Sequence, residues 1–351
     1  MSEAPVRVRR VLICEDSRTY AVGLSRLLER DREIDVVGVC ETAEQAIARL
    51  PTLKPDLVTM DLELPGMSGV DAIEQIMSVL PIPILVLSGH VERRSQTALH
   101  ALAAGALDAL PKADFDLADP DSPAAQALRQ RVKVLSGVKV IRHPRGRLSQ
   151  RKGPPSWSRA ASLVGIVAST GGPQALAAVL AGVPATFPIP ILVVQHISAG
   201  FVDGFARWLD TEVPLAVRLA EEGVKPGPGV WIAPEGAHLV LDKSGRIALD
   251  STTVAGLHRP SGDMLLRSLA VNIGQQAVAV VLTGMGRDGA EGLGDVRRAG
   301  GLTIAQDEAT SVVFGMPKAA AERGAELVLP LDGIAPRLRA LRPVGVRPAA
   351  S

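Results

Sequence analysis

The chain has 351 residues, and its 38 lysines and arginines balance 37 aspartates and glutamates to a net charge of +1. This length predicts two domains, each long enough to bury a core. The near-neutral charge argues against a nucleic-acid binder, and an aromatic content of 3% leaves little material for base-stacking platforms. We therefore expect no nucleic-acid partner.

Cysteine usage and hydropathy predict a cytoplasmic protein. The two cysteines, Cys14 and Cys40, lie in strand-like apolar stretches, which fits buried free thiols and excludes a disulfide framework. The apolar run that comes closest to a membrane span covers residues 189–194. A spanning helix needs roughly 20 residues, so no direct membrane insertion is expected.

From residue 8 to residue 137, short β-rich runs alternate with amphipathic helical patterns. Strands are predicted at residues 11–14, 36–39, 57–60, 84–87 and 106–110. Helices are predicted at residues 17–30, 43–50, 70–80, 93–104 and 124–135. Five βα units in series predict a parallel sheet with helices on both faces.

Residues 139–159 interrupt this rhythm, because they are rich in Pro, Gly, Ser and Arg and contain no acidic residue. This composition is typical of a linker, and its positive charge suits either a solvated segment or a docking site for an acidic partner. After it, strands are predicted at residues 163–168, 189–194, 230–233, 278–282, 302–305 and 327–329, with a hairpin at 239–241 and 247–249. The pattern predicts a second, three-layer α/β domain.

Carboxylates follow two strands of the first domain. Glu15 and Asp16 come directly after the first strand and Asp61 directly after the third, and the carboxyl ends of parallel strands share one edge. Three carboxylates there repel one another, which a hard divalent cation would relieve. Ser88 and Lys112 end two further strands, so the group suits phosphoryl transfer to a nucleophilic carboxylate, with the central Asp61 as acceptor. The alternative, that acids at strand ends cap helices, explains one acid but not five matching strand ends.

A serine, a histidine and an aspartate end three strands of the second domain. Ser169 lies at a strand-to-helix turn, His196 ends the next strand, and Asp288 lies in the turn TGMGRDG. These residue types fit a nucleophile, its base and the acid that orients the base. Gly284 and Gly286 would let backbone N–H groups approach a reacting carbonyl. Two alternatives stay open: Ser169 as a helix N-cap, and TGMGRDG as a phosphate-binding or tight-turn loop.

The base has to be chosen among six histidines. His196 alone directly ends a core strand next in sequence to the serine strand, so we predict it as the base. His238 follows PEGA on a predicted turn, and His258 precedes a predicted helix. Either of these two could bind substrate.

Residues 8–120 resemble response-regulator receiver domains. The resemblance rests on Glu15-Asp16, on MDLELPGMSG around Asp61, on LVLSG with Ser88 and on ALDALPK ending at Lys112. It implies that Asp61 takes phosphate from a histidine kinase and that Mg²⁺ is the cofactor. The implied metal ligands are Glu15, Asp16, Asp61 and the backbone carbonyl of Glu63, and the implied phosphoryl contacts are Ser88 and Lys112.

Residues 160–342 resemble the catalytic domain of chemotaxis protein-glutamate methylesterases. The motifs ASTGG, VVQHI, WIAPEGAHL, HRPSGD, LTGMGRDG and VVFGMPKAA occur in the order of that family. The resemblance implies that Ser169 is the nucleophile, His196 the base and Asp288 the third member of a triad. Backbone donors near Thr170 and Met285 would then face the oxyanion.

Together, the two resemblances identify the chain as a member of the chemotaxis response-regulator methylesterases, the CheB family. The implied fold is α/β: an N-terminal flavodoxin-like (βα)5 receiver, a linker, and a C-terminal three-layer, Rossmann-like methylesterase domain with a mainly parallel sheet. The expected boundaries are 1–122 for the receiver, 123–159 for its last helix and the linker, and 160–345 for the catalytic domain.

The resemblance also implies the reaction and the partners. The enzyme would hydrolyse glutamate methyl esters on chemoreceptors, release methanol and deamidate certain receptor glutamines, with no cofactor for the esterase step. A chemotaxis histidine kinase would be the phosphodonor, and phosphorylation would open a catalytic cleft that the receiver otherwise covers. Arg207, Arg259 or His258 could steer an acidic receptor helix.

The sequence departs from the family pattern at two positions. Ala113 follows Lys112 where proline is usual, which bears on the geometry of the lysine, and Val167 stands where glycine is usual, which would narrow the serine turn. Two rival functions fit the same residues. One is a methylesterase of a non-chemotaxis pathway, and the other is a non-catalytic phosphate sink or scaffold.

Overall fold

The computed structural model describes residues 7–89, 95–138, 158–254 and 258–344. The chain divides into two compact units, Met1–Arg145 and Gly146–Ser351. The linker predicted at 139–159 lies outside the described residues as far as residue 157. The finer domain boundaries therefore stay a prediction.

The first unit holds one five-stranded parallel sheet in the order β2-β1-β3-β4-β5. Its strands are β1 (Arg9–Cys14), β2 (Ile34–Cys40), β3 (Leu57–Met60), β4 (Ile84–Ser88) and β5 (Asp108–Pro111). Its helices are α1 (Arg18–Glu29), α2 (Ala43–Leu53), α3 (Gly69–Val79), α4 (Ser95–Ala103) and α5 (Pro123–Leu135). The five βα units predicted from the sequence are confirmed, with small shifts at their ends, except that residues 93 and 94 of the fourth predicted helix lie outside the described residues. For example, β5 begins at Asp108 because the Ala106 N–H still closes α4 by donating to Ala101 O at 2.9 Å.

Side-chain caps explain where the helices of the first unit begin. Ser17, Thr42, Ser68 and Ser122 each accept a hydrogen bond from the backbone N–H three residues further on, at the first turns of α1, α2, α3 and α5. Such a cap satisfies one of the backbone donors that a helix start leaves free. The central strands β3 and β4 are buried along their whole length, as a parallel sheet covered on both faces requires.

The two cysteines lie side by side in this sheet. Cys14 and Cys40 are register partners in β1 and β2, and both are free and buried. Burial and the neighbouring negative groups raise the pKa of the Cys14 thiol to about 12. The expectation of buried free thiols is confirmed.

The second unit is built on a seven-stranded parallel sheet in the order β15-β14-β13-β7-β8-β10-β9. Its strands are β7 (Leu163–Ala168), β8 (Ile191–Gln195), β9 (Val217–Leu219), β10 (Val230–Ile232), β13 (Ala277–Val281), β14 (Leu302–Gln306) and β15 (Leu327–Leu329). A separate hairpin joins β11 (His238–Leu241) to β12 (Ile247–Asp250), and β6 (Arg159–Ala161) pairs with β16 (Leu341–Pro343). The helices are α6 (Gly172–Ala181), α7 (Val202–Glu212), α8 (Gly262–Asn272), α9 (Ala290–Arg298), α10 (Met316–Glu322) and α11 (Leu331–Arg339).

The order of this sheet places one crevice at its centre. From β7, the chain first adds β8 on one side and later β13 on the other. Parallel sheets bind ligands at the carboxyl ends of strands where the direction of winding reverses, as it does here. The turns that follow β7, β8 and β13 therefore meet in one place.

A glycine inside β7 brings α8 close to this sheet. A Cβ at Gly165 would lie 2.7 Å from Leu269 Cδ1 and 2.8 Å from Leu266 Cδ2, so a larger residue would force these leucine side chains to shift. Leu265, Leu266 and Leu269 are fully buried in the core that α8 shares with β7 and β13. This packing fixes the start of α8 beside the carboxyl ends of the central strands.

The sequence pattern did not predict three strands of the second unit: β6, β9 and β16. Each has three residues, and each includes an arginine that breaks the apolar run, as in VRL of β9. Arg218 of β9 lies over the ring of Trp231, 4.9 Å from its centroid, and so covers an edge of the sheet. Within the described part of the chain, no helix has the length and hydropathy needed to cross a membrane.

Candidate functional site

The structure brings Ser169 and His196 together at the carboxyl ends of two neighbouring strands. Ala168 of β7 and Gln195 of β8 are register partners, and each of the two candidate residues comes next in its chain. The His196 N–H donates to Ala168 O at 2.9 Å, and the Ser169 N–H donates to Thr283 O at 3.0 Å, just past β13. Three strands thus hold the serine and the histidine in place.

Asp288 contacts the same histidine. His196 Nε2 lies 2.8 Å from Asp288 Oδ2, and both side chains are largely buried. A carboxylate on Nε2 stabilises the tautomer that carries its proton there. The other ring nitrogen, Nδ1, is buried and has no hydrogen-bond partner among the described residues. Nδ1 is therefore the nitrogen whose lone pair is available to accept a proton.

Three further hydrogen bonds hold the Asp288 carboxylate, all from the segment 261–263. Ser261 Oγ donates to Oδ1 at 2.8 Å, the Gly262 N–H donates to Oδ2 at 2.6 Å, and the Asp263 N–H donates to Oδ1 at 3.0 Å. Burial opposes the charged form of Asp288, but the hydrogen bonds with His196 and this segment outweigh it and hold the pKa well below its usual range. Asp288 is thus fixed as an oriented carboxylate.

His238 supports this segment from inside the fold. It is the first residue of β11 and is 1% exposed, so the expectation that it lies on a turn is wrong. Its Nδ1 accepts from the Ser261 N–H at 3.0 Å, and its Nε2 lies 3.1 Å from Thr253 O. Because both ring nitrogens are engaged within the unit, His238 supports Ser261 and does not face a substrate.

The other candidate binding residues lie nearer the surface. The exposed His258 stacks on His196, with ring centroids 4.1 Å apart and an interplanar angle of 16°. Arg259 donates to Ser251 O at 2.7 Å and to Thr253 O at 2.9 Å, so its guanidinium is tied to the loop after the hairpin. Arg207 is exposed on α7. Of the three residues, His258 is the one that contacts the base.

Glycines let the turn after β13 approach Ser169 closely. A Cβ at Gly284 would lie 2.7 Å from Ser169 Cβ, and Gly286 has a φ of 91°, which L side chains rarely adopt. The Met316 N–H donates to Gly284 O at 2.9 Å and ties this turn to the start of α10. Met285 lies between the two glycines, so the backbone of this turn passes beside the serine.

Val167, one of the two departures from the family pattern, packs against the segments that surround Asp288. Its side chain packs against Gly262 and Gly289, where an added Cβ would overlap it or lie 3.2 Å from its Cγ1. Both glycines belong to the segments that surround Asp288. The valine therefore fills space beside these two glycines, and its effect on the width of the serine turn stays a prediction.

Gly172, at the start of α6, leaves room for the buried amide of Gln195, which binds the backbone of the serine and histidine turns. A Cβ at Gly172 would overlap Gln195 Oε1, whose amide Nε2 donates to Ser169 O at 2.9 Å and to His196 O at 2.8 Å. We expect Gly172→Ala to lower the free energy of unfolding by about 1–3 kcal/mol, because the buried amide has to move. Urea unfolding measures this, and Gly227→Ala, where the added methyl meets open space, should change it by less than about 0.5 kcal/mol. Equal stability of the two variants would contradict this account of the turn.

The first unit gathers the predicted acidic cluster, formed by Glu15, Asp16 and Asp61. One carboxylate oxygen of each lies within 4.8 Å of the others, a spacing that could hold a metal ion. Glu15 and Asp61 are buried, whereas Asp16 is exposed. Burial, with repulsion from Asp61, raises the pKa of Glu15 against the opposing effect of Lys112. All-oxygen donors with excess negative charge fit a hard cation such as Mg²⁺.

Lys112 reaches this acidic cluster although Ala113 replaces the usual proline. Its Nζ lies 2.5 Å from Glu15 Oε2 and 2.7 Å from Asp61 Oδ2. Burial alone would lower the pKa of Lys112, but its bonds to the two carboxylates raise it. Ser88 Oγ is buried and has no hydrogen-bond partner among the described residues, and the Glu63 N–H donates to Asp61 Oδ1 at 3.2 Å. The departure at Ala113 leaves the lysine in place.

Comparison with known proteins first defines the class. Residues 11–118 match the family model described as response regulator receiver domain, and residues 164–338 match the one described as CheB methylesterase. The two units are therefore an N-terminal receiver domain and a C-terminal methylesterase domain. This confirms the fold class expected from the sequence.

Relatives over nearly the whole chain then define the family. Protein-glutamate methylesterase/protein-glutamine glutaminase 2 of Anaeromyxobacter dehalogenans (strain 2CP-C) is 45% identical over 336 residues, 95% of this chain and 96% of that protein. The corresponding protein 3 of Myxococcus xanthus (strain DK1622) is 43% identical over 314 residues, 89% of this chain and 87% of that protein. The solved CheB methylesterase catalytic domain of Thermotoga maritima is 41% identical, with a TM-score of 0.50, and covers 51% of this chain and 98% of that chain. The chain belongs to the CheB methylesterase family.

Proposed function

We propose that this chain is a phosphorylation-regulated methylesterase that hydrolyses glutamate γ-methyl esters on chemoreceptors in chemotaxis adaptation. The observation that carries the proposal is the contact between His196 Nε2 and Asp288 Oδ2, which leaves the buried Nδ1 as the ring nitrogen available to act as a base. The names of the relatives supply the substrate class, since they are protein-glutamate methylesterases.

The proposed reaction is acyl transfer through Ser169. Its Oγ attacks the ester carbonyl while His196 Nδ1 takes the hydroxyl proton, and the imidazolium then returns this proton to the departing methanol. Water hydrolyses the acyl-serine with His196 again as base, which restores the glutamate. Asp288 holds the Nε2 proton and stabilises the imidazolium throughout. Backbone N–H groups near Thr170 and Met285 stabilise the oxyanion, and each such donor is worth about 3 kcal/mol.

The same steps allow deamidation of glutamine. An amide carbonyl takes the place of the ester, and ammonia leaves where methanol left. The relatives carry protein-glutamine glutaminase in their names, which supports this second activity. It requires no residue beyond those that the esterase uses.

The function is tested by trapping the nucleophile. A fluorophosphonate reacts with an activated serine, which displaces fluoride, so we expect one covalent adduct on the peptide that contains Ser169. The rate of methanol release from methylated chemoreceptor membranes should fall in proportion to the fraction of protein that carries the label. Continued release from fully labelled protein would contradict the proposed nucleophile. No release from unlabelled protein, even with acetyl phosphate added, would point to another substrate or to a scaffold.

We propose that Asp61 is the phosphoacceptor and that a chemotaxis histidine kinase is the donor. Glu15, Asp16, Asp61 and the backbone carbonyl of Glu63 would hold Mg²⁺, which neutralises charge between the carboxylate and the incoming phosphoryl group. Lys112 and Ser88 would contact the phosphoryl oxygens, and the unpartnered Ser88 hydroxyl supports this role. The receiver match supports regulation of the esterase by this phosphorylation.

Asp61→Asn should take up no phosphoryl group from radiolabelled acetyl phosphate with Mg²⁺, because an amide oxygen is not the required nucleophile. The full-length variant should also lose any stimulation of methanol release by acetyl phosphate. Asp35→Asn, which changes an exposed aspartate of β2, should label as the wild type does. Stable label on Asp61→Asn would overturn the assignment of the acceptor.

A further inference from the structure

Tyr20, the single tyrosine of the chain, borders the acidic cluster of the receiver domain. It lies in the first turn of α1, where its backbone N–H donates to the capping Ser17 Oγ at 3.3 Å. Lys112 Nζ lies over the face of its ring, 4.6 Å from the centroid. The same Nζ contacts Glu15 and Asp61. The ring is therefore part of the surroundings of the ammonium group that serves this site.

The hydroxyl of Tyr20 is buried and has no hydrogen-bond partner among the described residues. Burial and the negative charges of Glu15 and Asp61 raise the pKa of Tyr20 above its usual value. The phenol therefore keeps its proton and can donate it in a hydrogen bond to an anionic oxygen. A buried donor without an acceptor is destabilising, because it has lost its hydrogen bonds to water and gained none in the protein. The hydroxyl is thus suited to an acceptor that arrives from outside the chain.

The carboxylates nearby are already engaged. Glu15 Oε1 accepts from the Ser17 N–H at 3.3 Å, Asp61 Oδ1 accepts from the Glu63 N–H at 3.2 Å, and Lys112 holds the second oxygen of each. The group that phosphorylation adds to Asp61 brings new anionic oxygens into these surroundings. Hydrogen bonds to such charged acceptors are stronger than those between neutral groups.

We propose that Tyr20 is a further phosphoryl-binding residue: its hydroxyl donates to an oxygen of the phosphoryl group on Asp61, while its ring keeps Lys112 beside that group. This inference rests on the proposed role of Asp61. The contact stabilises the acyl phosphate and shields it from hydrolysis by water. Tyr20 therefore lengthens the lifetime of the phosphorylated chain.

Two variants separate the hydroxyl from the ring. Tyr20→Phe removes only the hydroxyl, and Tyr20→Leu removes the cation–π contact as well. After loading with radiolabelled acetyl phosphate and Mg²⁺, the half-life of the phosphorylated full-length chain should fall roughly tenfold in Tyr20→Phe. It should fall further in Tyr20→Leu. Val22→Ala, at an exposed position of α1, is the matched control and should keep the wild-type half-life.

A second measurement reports the contact without catalysis. Because the chain has one tyrosine, 3-fluorotyrosine gives a single ¹⁹F resonance from residue 20. Beryllofluoride with Mg²⁺, a stable mimic of the phosphoryl group, should shift this resonance in the wild type. The ¹⁹F signal of bound beryllofluoride itself reports binding in both proteins, and in Tyr20→Phe it should reach half-saturation at a roughly tenfold higher beryllofluoride concentration. Thermal unfolding of each variant shows whether it folds.

The outcomes are distinguishable. If wild-type protein takes up no phosphoryl group, the proposed role of Asp61 fails. If wild-type protein is phosphorylated and folded Tyr20→Phe matches it in half-life and in beryllofluoride affinity, the hydroxyl does not bind the phosphoryl group and only the present inference is overturned. A loss confined to Tyr20→Leu would likewise overturn it, because the ring would then act alone.

Discussion

Ser169→Ala lowers the rate of methanol release from methylated chemoreceptor membranes by about 10⁴- to 10⁶-fold. The variant lacks the oxygen that forms the acyl-enzyme, and His196 Nδ1 then has no hydroxyl proton to take. The backbone of the site stays intact in this variant. The N–H of residue 169 still donates to Thr283 O, and its C=O still accepts from Gln195 Nε2. Methanol measured over time on identical membranes gives the ratio of rates.

Ser244→Ala is the matched control for this experiment. Ser244 is exposed in the turn between β11 and β12, and its hydroxyl donates only to Asp242 within that turn. This variant should release methanol at the wild-type rate. If Ser169→Ala retained even a tenth of the activity, the assignment of the nucleophile would be wrong.

Asp288→Asn lowers the same rate by about 10⁴-fold. The aspartate accepts from His196 Nε2, Ser261 Oγ and the N–H groups of Gly262 and Asp263, and an amide replaces one acceptor oxygen by an NH₂ donor. The NH₂ group cannot accept a hydrogen bond, so at least one of the four existing donors loses its acceptor. An NH₂ group that faces His196 Nε2 also favours the imidazole tautomer that carries its proton on Nδ1. The base nitrogen is then protonated before Ser169 can use it.

Comparison with Asp203→Asn, an exposed aspartate at the start of α7, controls for the change of charge. The control variant should keep the wild-type rate. Fluorophosphonate labelling of Ser169 should slow in Asp288→Asn alone, because labelling needs the same base. Wild-type labelling by Asp288→Asn would remove the aspartate from the proposed triad.

The low pKa of Asp288 also links the stability of the second unit to pH. Because the folded pKa lies below the ordinary value of 3.8, the stabilisation is fully present above that value and is lost as the pH falls toward the folded pKa. Asp288→Asn has no such dependence at this position, so acidification from about pH 5 to pH 3 should narrow the gap in urea midpoint between wild type and variant.

The sequence was sufficient to place the residues that end strands. Ser169, His196 and Asp288 follow β7, β8 and β13, and the rule that parallel strands share a carboxyl edge predicts their convergence. The same rule predicts the meeting of Asp61 and Lys112. The chemical roles drawn from this placement remain proposals.

The supports around these residues were not predictable in the same way. The segment 261–263 lies 25 to 27 residues from Asp288 along the chain and uses two backbone N–H groups, which every residue except proline has. The motif HRPSGD was visible, but its contact depends on how α8 packs over Gly165. His238 was misplaced on a turn for a related reason, since PEGA marks the turn but not the strand that begins directly after it.

Burial of both native thiols makes the chain a convenient host for site-specific labelling. Cys14 and Cys40 lie inside the receiver sheet, and the raised pKa of Cys14 keeps its reactive thiolate scarce at neutral pH. A cysteine introduced at an exposed position, such as Val22 of α1 or Val271 of α8, would then be the reactive one in the folded protein. Nitroxide labels at these two positions allow the distance between the receiver and the methylesterase to be measured before and after phosphorylation. The buried native thiols would add no signal of their own to that measurement.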